Sequence, residues 1–457
     1  MVVLYVLIAL VVVGLLTGVH WYVWRRLVRD TTARGGWARR TGTAAAFALP
    51  LISVGALIAG RAGAPFPLQR ALAWPGYLWL ALLLYLTLAL LVGEAVRPLL
   101  RAWLGRNEPA ADVRLTDVPA PAVGGLVGVA AVPEGGVVCD GAGAAVVSEA
   151  EAVVDGAAKT ATDAVEAATD AAKGGAADPA PASSSRRLFV ARAVAVGATA
   201  VAAGTVGYGA YTVLRGPRLK RITVPLAKLP RRAHGFRIAV VSDIHLGPIL
   251  GRDHTRRVVE AVNRTNPDLI AVVGDLVDGS VADLGPAAEP LRGLSARHGS
   301  YFVTGNHEYY SGAAEWVDHV RELGLRPLEN ERTELPGFDL AGVNDVAGES
   351  EGHGPDFGKA LGDRDRSRAS VLLAHQPVVI HDAVKAGVDL QLSGHTHGGQ
   401  LWPGNYVAEL ANPTAAGLDR YGDTQLYVTR GAGAWGPPVR VGAPPDVTVV
   451  ELASTRA

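Results

Sequence analysis

Arg237-Ile238-Ala239-Val240-Val241-Ser242-Asp243-Ile244-His245 decides the reading of this chain. A short run rich in β-branched residues stops abruptly at a serine, a carboxylate and an imidazole. Such a run reads as a strand. The same event recurs four more times. Residues 268–273 lead into Gly274-Asp275-Leu276-Val277-Asp278, and 301–303 into Gly305-Asn306-His307-Glu308. Residues 371–374 end at His375, and 390–392 lead into Gly394-His395-Thr396-His397-Gly398-Gly399. Helical periodicity over 253–265 lies between the first two. Strands alternating with helices predict an α/β sheet, whose carboxyl strand ends gather at one rim where ligands bind.

The residue types at that rim select the chemistry. Asp, His and Asn offer hard or borderline oxygen and nitrogen donors that suit Mn²⁺, Zn²⁺ or Fe, and thiolate is absent. A carboxylate bridges two ions readily, because each oxygen serves a different one. Two ions about 3.5–4 Å apart polarise a phosphate and activate water. Alone, each fragment is weak: a single Asp-x-His or His-x-His is commonplace, and His375 alone reads as a hydrogen-bonded core histidine. The ordered set of five, each at a strand end, is what carries the reading. A zinc peptidase is disfavoured by the absence of His-Glu-x-x-His. His254, His298, His319, His353 and His381 lie outside the blocks and read as solvated or hydrogen-bonded side chains. Arg430 follows a strand-like run and suits either a substrate phosphate or a salt bridge.

The rest of the 457-residue chain is organised differently. Residues 1–24 carry no charge, and apolar runs follow at 43–60 and 74–93. About 20 apolar residues span a bilayer, so residues 1–106 read as a module of three transmembrane helices. Arg25, Arg26, Arg29, Arg34, Arg39 and Arg40 follow the first span, and Arg97, Arg101 and Arg106 end the third. The positive-inside rule puts both groups in the cytoplasm. Residues 107–185 are Ala/Gly-rich and read as a linker, because such composition buries too little apolar area to offset chain entropy. Ser185-Arg186-Arg187-Leu188-Phe189-Val190 opens a fourth apolar segment, 186–214, that is similar to a twin-arginine export signal. That crossing puts the catalytic region, 220–457, outside the cytoplasm in a multi-pass plasma-membrane protein. Arg215, Arg218, Lys220 and Arg221 oppose that orientation by charge. Basic and acidic residues number 43 each, so net charge supplies no argument for nucleic acid. Cys139 is the only cysteine, which excludes an intrachain disulfide.

The five blocks resemble the calcineurin-like metallophosphoesterase family: Asp-x-His, Gly-Asp-x-x-Asp, Gly-Asn-His-Glu, a lone His and Gly-His-x-His, over roughly 235–452. The resemblance implies a four-layer α/β/β/α sandwich preceded here by the transmembrane module. It implies that Asp243, His245, Asp275 and His397 bind one metal. Asp275, Asn306, His375 and His395 would bind a second, with Asp275 bridging. His307 would stabilise the transition state and protonate the leaving oxygen, with Asp278 and Glu308 orienting ligands and catalytic histidine. Gly394 to Gln400, and Thr429 through Pro445, resemble the bacterial membrane-associated branch, which includes twin-arginine-exported phosphoesterases. The function implied is metal-dependent hydrolysis of phosphodiesters or phosphomonoesters. Two alternatives are hydrolysis of a lipid-headgroup pyrophosphate of the UDP-diacylglucosamine type, and a membrane scaffold whose fold has lost activity.

Overall fold

The computed structural model describes residues 2–106 and 182–456; the segment 107–181, with Cys139 and nearly all of the expected linker, lies outside the described residues. By compactness the chain forms two bodies, Met1–Leu91 with Ala195–Ala457, and Val92–Val194. Within the second, the described residues are the last turns of one long helix and the first turns of the next.

Among the described residues four long helices come first: α1 (Val2–Trp24), α2 (Trp37–Ile58), α3 (Phe66–Arg106) and α4 (Ala182–Leu214). The stretches Trp37–Ile58, Phe66–Leu100 and Arg186–Leu214 are long and apolar enough to cross a membrane, and α1 has 23 residues without a charge. At 41 residues, α3 far outruns the apolar run 74–93, because its Leu/Ala/Arg-rich flanks are good helix formers. Small residues let α2 and α3 approach closely. A Cβ on Gly76 would lie 2.8 Å from that of Ala56. Beside it Ser53 donates to the Gly76 carbonyl (2.9 Å) and Tyr77 to that of Ala56 (3.1 Å), the packing mode expected between helices in lipid.

The C-terminal part, from Arg218 onward, is built on two six-stranded sheets. The first has the order β1 (Arg218–Leu226), β12 (Asp446–Ser454), β2 (Phe236–Val241), β3 (Leu269–Val273), β4 (Ser300–Val303), β5 (Arg326–Pro327). The second has the order β10 (Gly417–Tyr421), β11 (Thr424–Val428), β9 (Leu390–Ser393), β8 (Ala369–Leu373), β7 (Phe338–Gly342), β6 (Glu331–Leu335). β2 through β5 run parallel, as do β7, β8, β9 and β11, while β12–β2, β6–β7 and β10–β11 pair antiparallel. Both sheets are therefore mixed.

Side-chain alternation explains the layers. Ile238 and Val240 join the core between the sheets, while Ala239 and Val241 face helices on the other side. The latter cluster includes Val258 and Val262 of α5 (Arg252–Asn263) and Trp316 of α8 (Ala313–Glu322). Beyond the second sheet, Leu372, Leu426 and Val428 pack on Ile380 and Ala383 of α10 (Ile380–Ala386). Strands covered on both faces read as continuous apolar runs, which is why the sequence shows them so plainly. The result is the expected four-layer α/β/β/α sandwich.

Between the sheets Phe338 is fully buried and meets the Phe236 ring edge-on at 5.0 Å. Truncating it leaves a cavity that rigid strands cannot close. Phe338→Ala should lower the unfolding free energy by about 3–5 kcal/mol, read by denaturant titration; a loss below ~1 kcal/mol would contradict this packing.

Candidate metal centre

All five polar blocks meet at the carboxyl ends of β2, β3, β4, β8 and β9. The loops after β2 and β3 run side by side: the Asp243 amide donates to Gly274 O (3.0 Å), His245 to Asp275 O (3.2 Å) and Leu246 to Leu276 O (2.9 Å). Ser242 Oγ donates to Val273 O at 2.6 Å and pins the two strand ends together. Five of the expected site residues hold left-handed backbone: Asp243 (φ 53°), His245 (49°), Asp275 (52°), His395 (73°) and His397 (53°). Each such residue costs on the order of 1–3 kcal/mol and persists because surrounding hydrogen bonds over-determine it. Two glycines are required by close approach. A Cβ on Gly394 would lie 1.9 Å from Ser242 Oγ, and one on Gly305 would lie 2.2 Å from Asp275 Oδ1.

Three groups of donor atoms result, Asp243/His245/His397, Asp275/His375/His395 and, sharing His245, His245/Asp278/His307, each with its atoms within 4.8 Å of one another. In the first, His397 Nε2 lies 3.3 Å from Asp243 Oδ1 and 3.0 Å from His245 Nε2. In the second, His375 Nε2 lies 3.1 Å from Asp275 Oδ2, and His395 Nδ1 lies 3.0 Å from Asn306 Oδ1. Asp275 Oδ2 is also 3.7 Å from His245 Nε2, so this carboxylate sits between these two groups.

The hydrogen bonds behind these rings fix which nitrogens face the cluster. His375 Nδ1 donates to Val273 O (2.9 Å), which turns its buried Nε2 toward Asp275 Oδ2 at 3.1 Å. His245 Nδ1 is likewise tied to Asp278 Oδ1 (2.8 Å), which turns Nε2 toward the cluster. Ring nitrogens and carboxylate oxygens thus converge on one small volume. Among the described residues no Lys or Arg forms an ion pair with Asp243 or Asp275. Burial, with His375 next, holds His395 down at about 4; burial and Arg440 hold His397 well below the ordinary histidine range. Burial opposes charge at Asp275 too, yet His375 keeps it below the usual carboxylate range. Burial lowers His245 and His375 as well, yet Asp278 lifts the first to about 9 and Asp275 lifts the second well above the ordinary histidine range. Imidazoles beside carboxylates form a donor set that suits divalent cations of borderline hardness.

His307 stands at the edge of the cluster. Its amide donates to Asp275 Oδ1 (2.9 Å) and its Nδ1 meets Asp278 Oδ1 at 2.7 Å. Asp278 therefore holds both His245 and His307 by their Nδ1 atoms. Burial works against its charge, but His245 and then His307 lower its pKa. The His307 ring is walled by Tyr310 and Trp435, at centroid distances of 5.5 and 5.7 Å. Glu308 acts one level further back. Fully buried, it accepts from the amides of Asp275 (3.0 Å), Leu276 (2.7 Å) and Gly305 (2.6 Å). It orients loops rather than any ring, and burial together with Asp275 pushes it up to about 7.

Arg440 completes the site and was not singled out from sequence. It is 2% exposed. It donates through Nη1 to His397 O (2.8 Å), through Nη2 to His397 Nδ1 (2.8 Å), and through Nε and Nη2 to Gly433 O (2.9 and 2.6 Å). A guanidinium only donates, so His397 Nδ1 accepts and the ring proton stays on Nε2, facing Asp243. A cation there would replace that proton. The available signal was a lone arginine in the apolar, Gly/Pro-rich run 436–445. Of the histidines outside the blocks, His254 is buried with neither ring nitrogen hydrogen-bonded, and burial lowers it to about 3. Arg430 makes neither hydrogen bond nor ion pair among the described residues and lines a cavity beside Gly398.

The calcineurin-like phosphoesterase family matches residues 236–399, from the start of β2 through the Gly-His-x-His block. The chain is 40% identical over 260 residues to a zebrafish (Danio rerio) protein described as a transmembrane protein with metallophosphoesterase domain, covering 54% of this chain and 59% of that one. It is 38% identical over 247 residues to an uncharacterized metallophosphoesterase of Helicobacter pylori, covering 53% and 66%. It is 36% identical over 251 residues to one of Aquifex aeolicus, covering 53% of this chain and 95% of that relative. The chain thus spans about six tenths to two thirds of the length of the first two, and almost all of the third. With the residue blocks, the two mixed sheets and the Aquifex match in agreement, the chain belongs to the calcineurin-like metallophosphoesterase family.

Proposed function

We propose that the chain is a membrane-anchored hydrolase that cleaves phosphate mono- or diesters with two divalent ions, Mn²⁺, Zn²⁺ or Fe. The observation that carries this reading is the position of Asp275 between two groups of His and Asp side chains, with no Lys or Arg ion pair to either carboxylate among the described residues. Asp243, His245, Asp275 and His397 would hold one ion, and Asp275, Asn306, His375 and His395 the other. Bound there, the ions would polarise the phosphate and lower the pKa of an attacking water. The chain's own contribution is orientation and proton transfer. Asp278 fixes the His307 ring by Nδ1, leaving Nε2 to give its proton to the departing oxygen as the water oxygen bonds to phosphorus and the ester P–O bond breaks. The scaffold alternative is disfavoured by the absence of any substitution at the expected ligand positions.

The reading includes a topology. Residues 1–106 form the transmembrane module, 107–185 the linker, 186–214 a further crossing with its twin-arginine-like start, and 220–457 the catalytic domain. Phe66 and Arg70 at the start of α3, and Leu214 at the end of α4, line one cavity with Gly247 to Asp253. Both helix ends therefore adjoin the catalytic domain, while Arg97, Arg101 and Arg106 sit at the other end of α3. Charge bias at that end supports a catalytic domain outside the cytoplasm, at the plasma membrane.

Two outcomes test the chemistry. Full-length protein in nanodiscs should hydrolyse methyl p-nitrophenyl phosphate or p-nitrophenyl phosphate with added Mn²⁺ and stop on chelation. His307→Ala should lower kcat by about 10²–10⁴-fold with metal content unchanged. Loss of metal without loss of turnover, or full turnover in Asp275→Asn, would contradict the proposal. Arg440 supports a ligand rather than the reacting atoms. Arg440→Gln should therefore weaken Mn²⁺ binding by about 10–100-fold in a calorimetric titration, and unchanged affinity would remove its assigned role.

A further inference from the structure

Helix α11 (Gly404–Ala411) begins seven residues after His397 and buries none of its side chains. Its two faces differ. Asn405 and Glu409 line a cavity of about 450 Å³ with Asp419, Arg430 and Gly398, the residue next to His397. The opposite face is apolar and open: Tyr406 is 57% exposed, Val407 67% and Leu410 90%, with Trp402 exposed just upstream. A patch of this kind marks a contact surface for protein or membrane.

The structure indicates which. The Trp402 carbonyl accepts a 2.9 Å hydrogen bond from the Tyr85 hydroxyl of α3, inside the candidate span Phe66–Leu100. A second span reaches the neighbouring loop: the Arg440 amide donates to Gly209 O of α4 (3.2 Å), and a Cβ on Gly209 would lie 2.5 Å from Val439. A third contact lies beside the catalytic histidine, where a Cβ on Gly436 would be 3.8 Å from the Tyr77 ring of α3. Gly436 follows Trp435, which walls His307. Three parts of the site's edge therefore touch helices of membrane-spanning length, and the open apolar face of α11 continues from one of them.

We propose that α11 and the Trp402 turn are a membrane-inserted element, seated in the leaflet beside α3 with Tyr406, Val407 and Leu410 in the acyl region. The mouth of the site then adjoins the lipid, and its ester is drawn from the bilayer rather than from water. An amphiphilic phosphate ester fits this seat: its tail lies along α11, its phosphate reaches the His397 side, and its polar head meets Arg430, Glu409 and Asp419 in the cavity. Amphipathic helices with one strongly apolar face lie in the interface in this way. The insertion stands on its own geometry; the ester's delivery rests on the phosphoesterase reading above.

Two measurements on the full chain in phosphatidylethanolamine/phosphatidylglycerol nanodiscs separate these statements. A nitroxide at Leu410→Cys, in a Cys139→Ser background, should be relaxed by oxygen far more than by an aqueous nickel chelate, whereas a label at Lys385→Cys should show the reverse. A Leu410 label as open to the chelate as the Lys385 one overturns insertion. So does a label shielded from both reagents, which would mark a second protein copy as the cover. The second measurement compares methyl with hexadecyl p-nitrophenyl phosphate, which share one scissile bond. Wild type should favour the hexadecyl ester, and Val407→Asp/Leu410→Asp should cut that preference about tenfold or more with the methyl ester unaffected. An unchanged preference overturns delivery from the bilayer. Turnover of neither ester by metal-loaded protein counts against the phosphoesterase reading, while the label still decides insertion.

Discussion

Asp243 and Asp275 lie at adjoining strand ends, buried, among imidazoles whose ring nitrogens face the same small volume. Burying two carboxylates this close without a Lys or Arg ion pair is electrostatically unfavourable, and almost every local feature serves to hold them there. Parallel β2, β3 and β4 aim the loops at one rim. Left-handed backbone at five site residues is locked by amides bonded across from loop to loop. Glu308 gathers three of those amides, and Asp278 turns two rings with a single carboxylate. The convergence of these groups is the constraint; a bound cation would relieve it.

That logic also explains which parts were legible in the sequence. The strands at 237–241, 268–273 and 371–374 stood out because each is covered on both faces, and buried strands are continuously apolar. The site residues stood out because strand ends concentrate them into short blocks. Asp243 and Asp275 can be named from their neighbours alone, and the structure brings all seven expected donors together. Helix boundaries were less legible. α3 runs far beyond its apolar core because helix propensity, not hydropathy, sets where it ends.

Two features escaped for a different reason. Arg440 acts from a Gly/Pro-rich run with no strand end to flag it, and its partner His397 lies 43 residues away. Only tertiary structure relates them. The role of α11 is equally hidden: eight residues with one charge resemble any surface helix. Its apolar face acquires meaning when Tyr85 of a membrane-length helix is found bonded to the turn before it. In each case the local sequence is ordinary, and the information is in what packs against it.

The most direct test of the central claim is the number and spacing of bound metals. Full-length protein loaded with Mn²⁺ and examined by electron paramagnetic resonance should hold two ions per chain. Their spins should be exchange-coupled through Asp275, with the coupling lost in Asp275→Asn. A single ion per chain, or two ions without magnetic coupling, would contradict a bridged dinuclear centre.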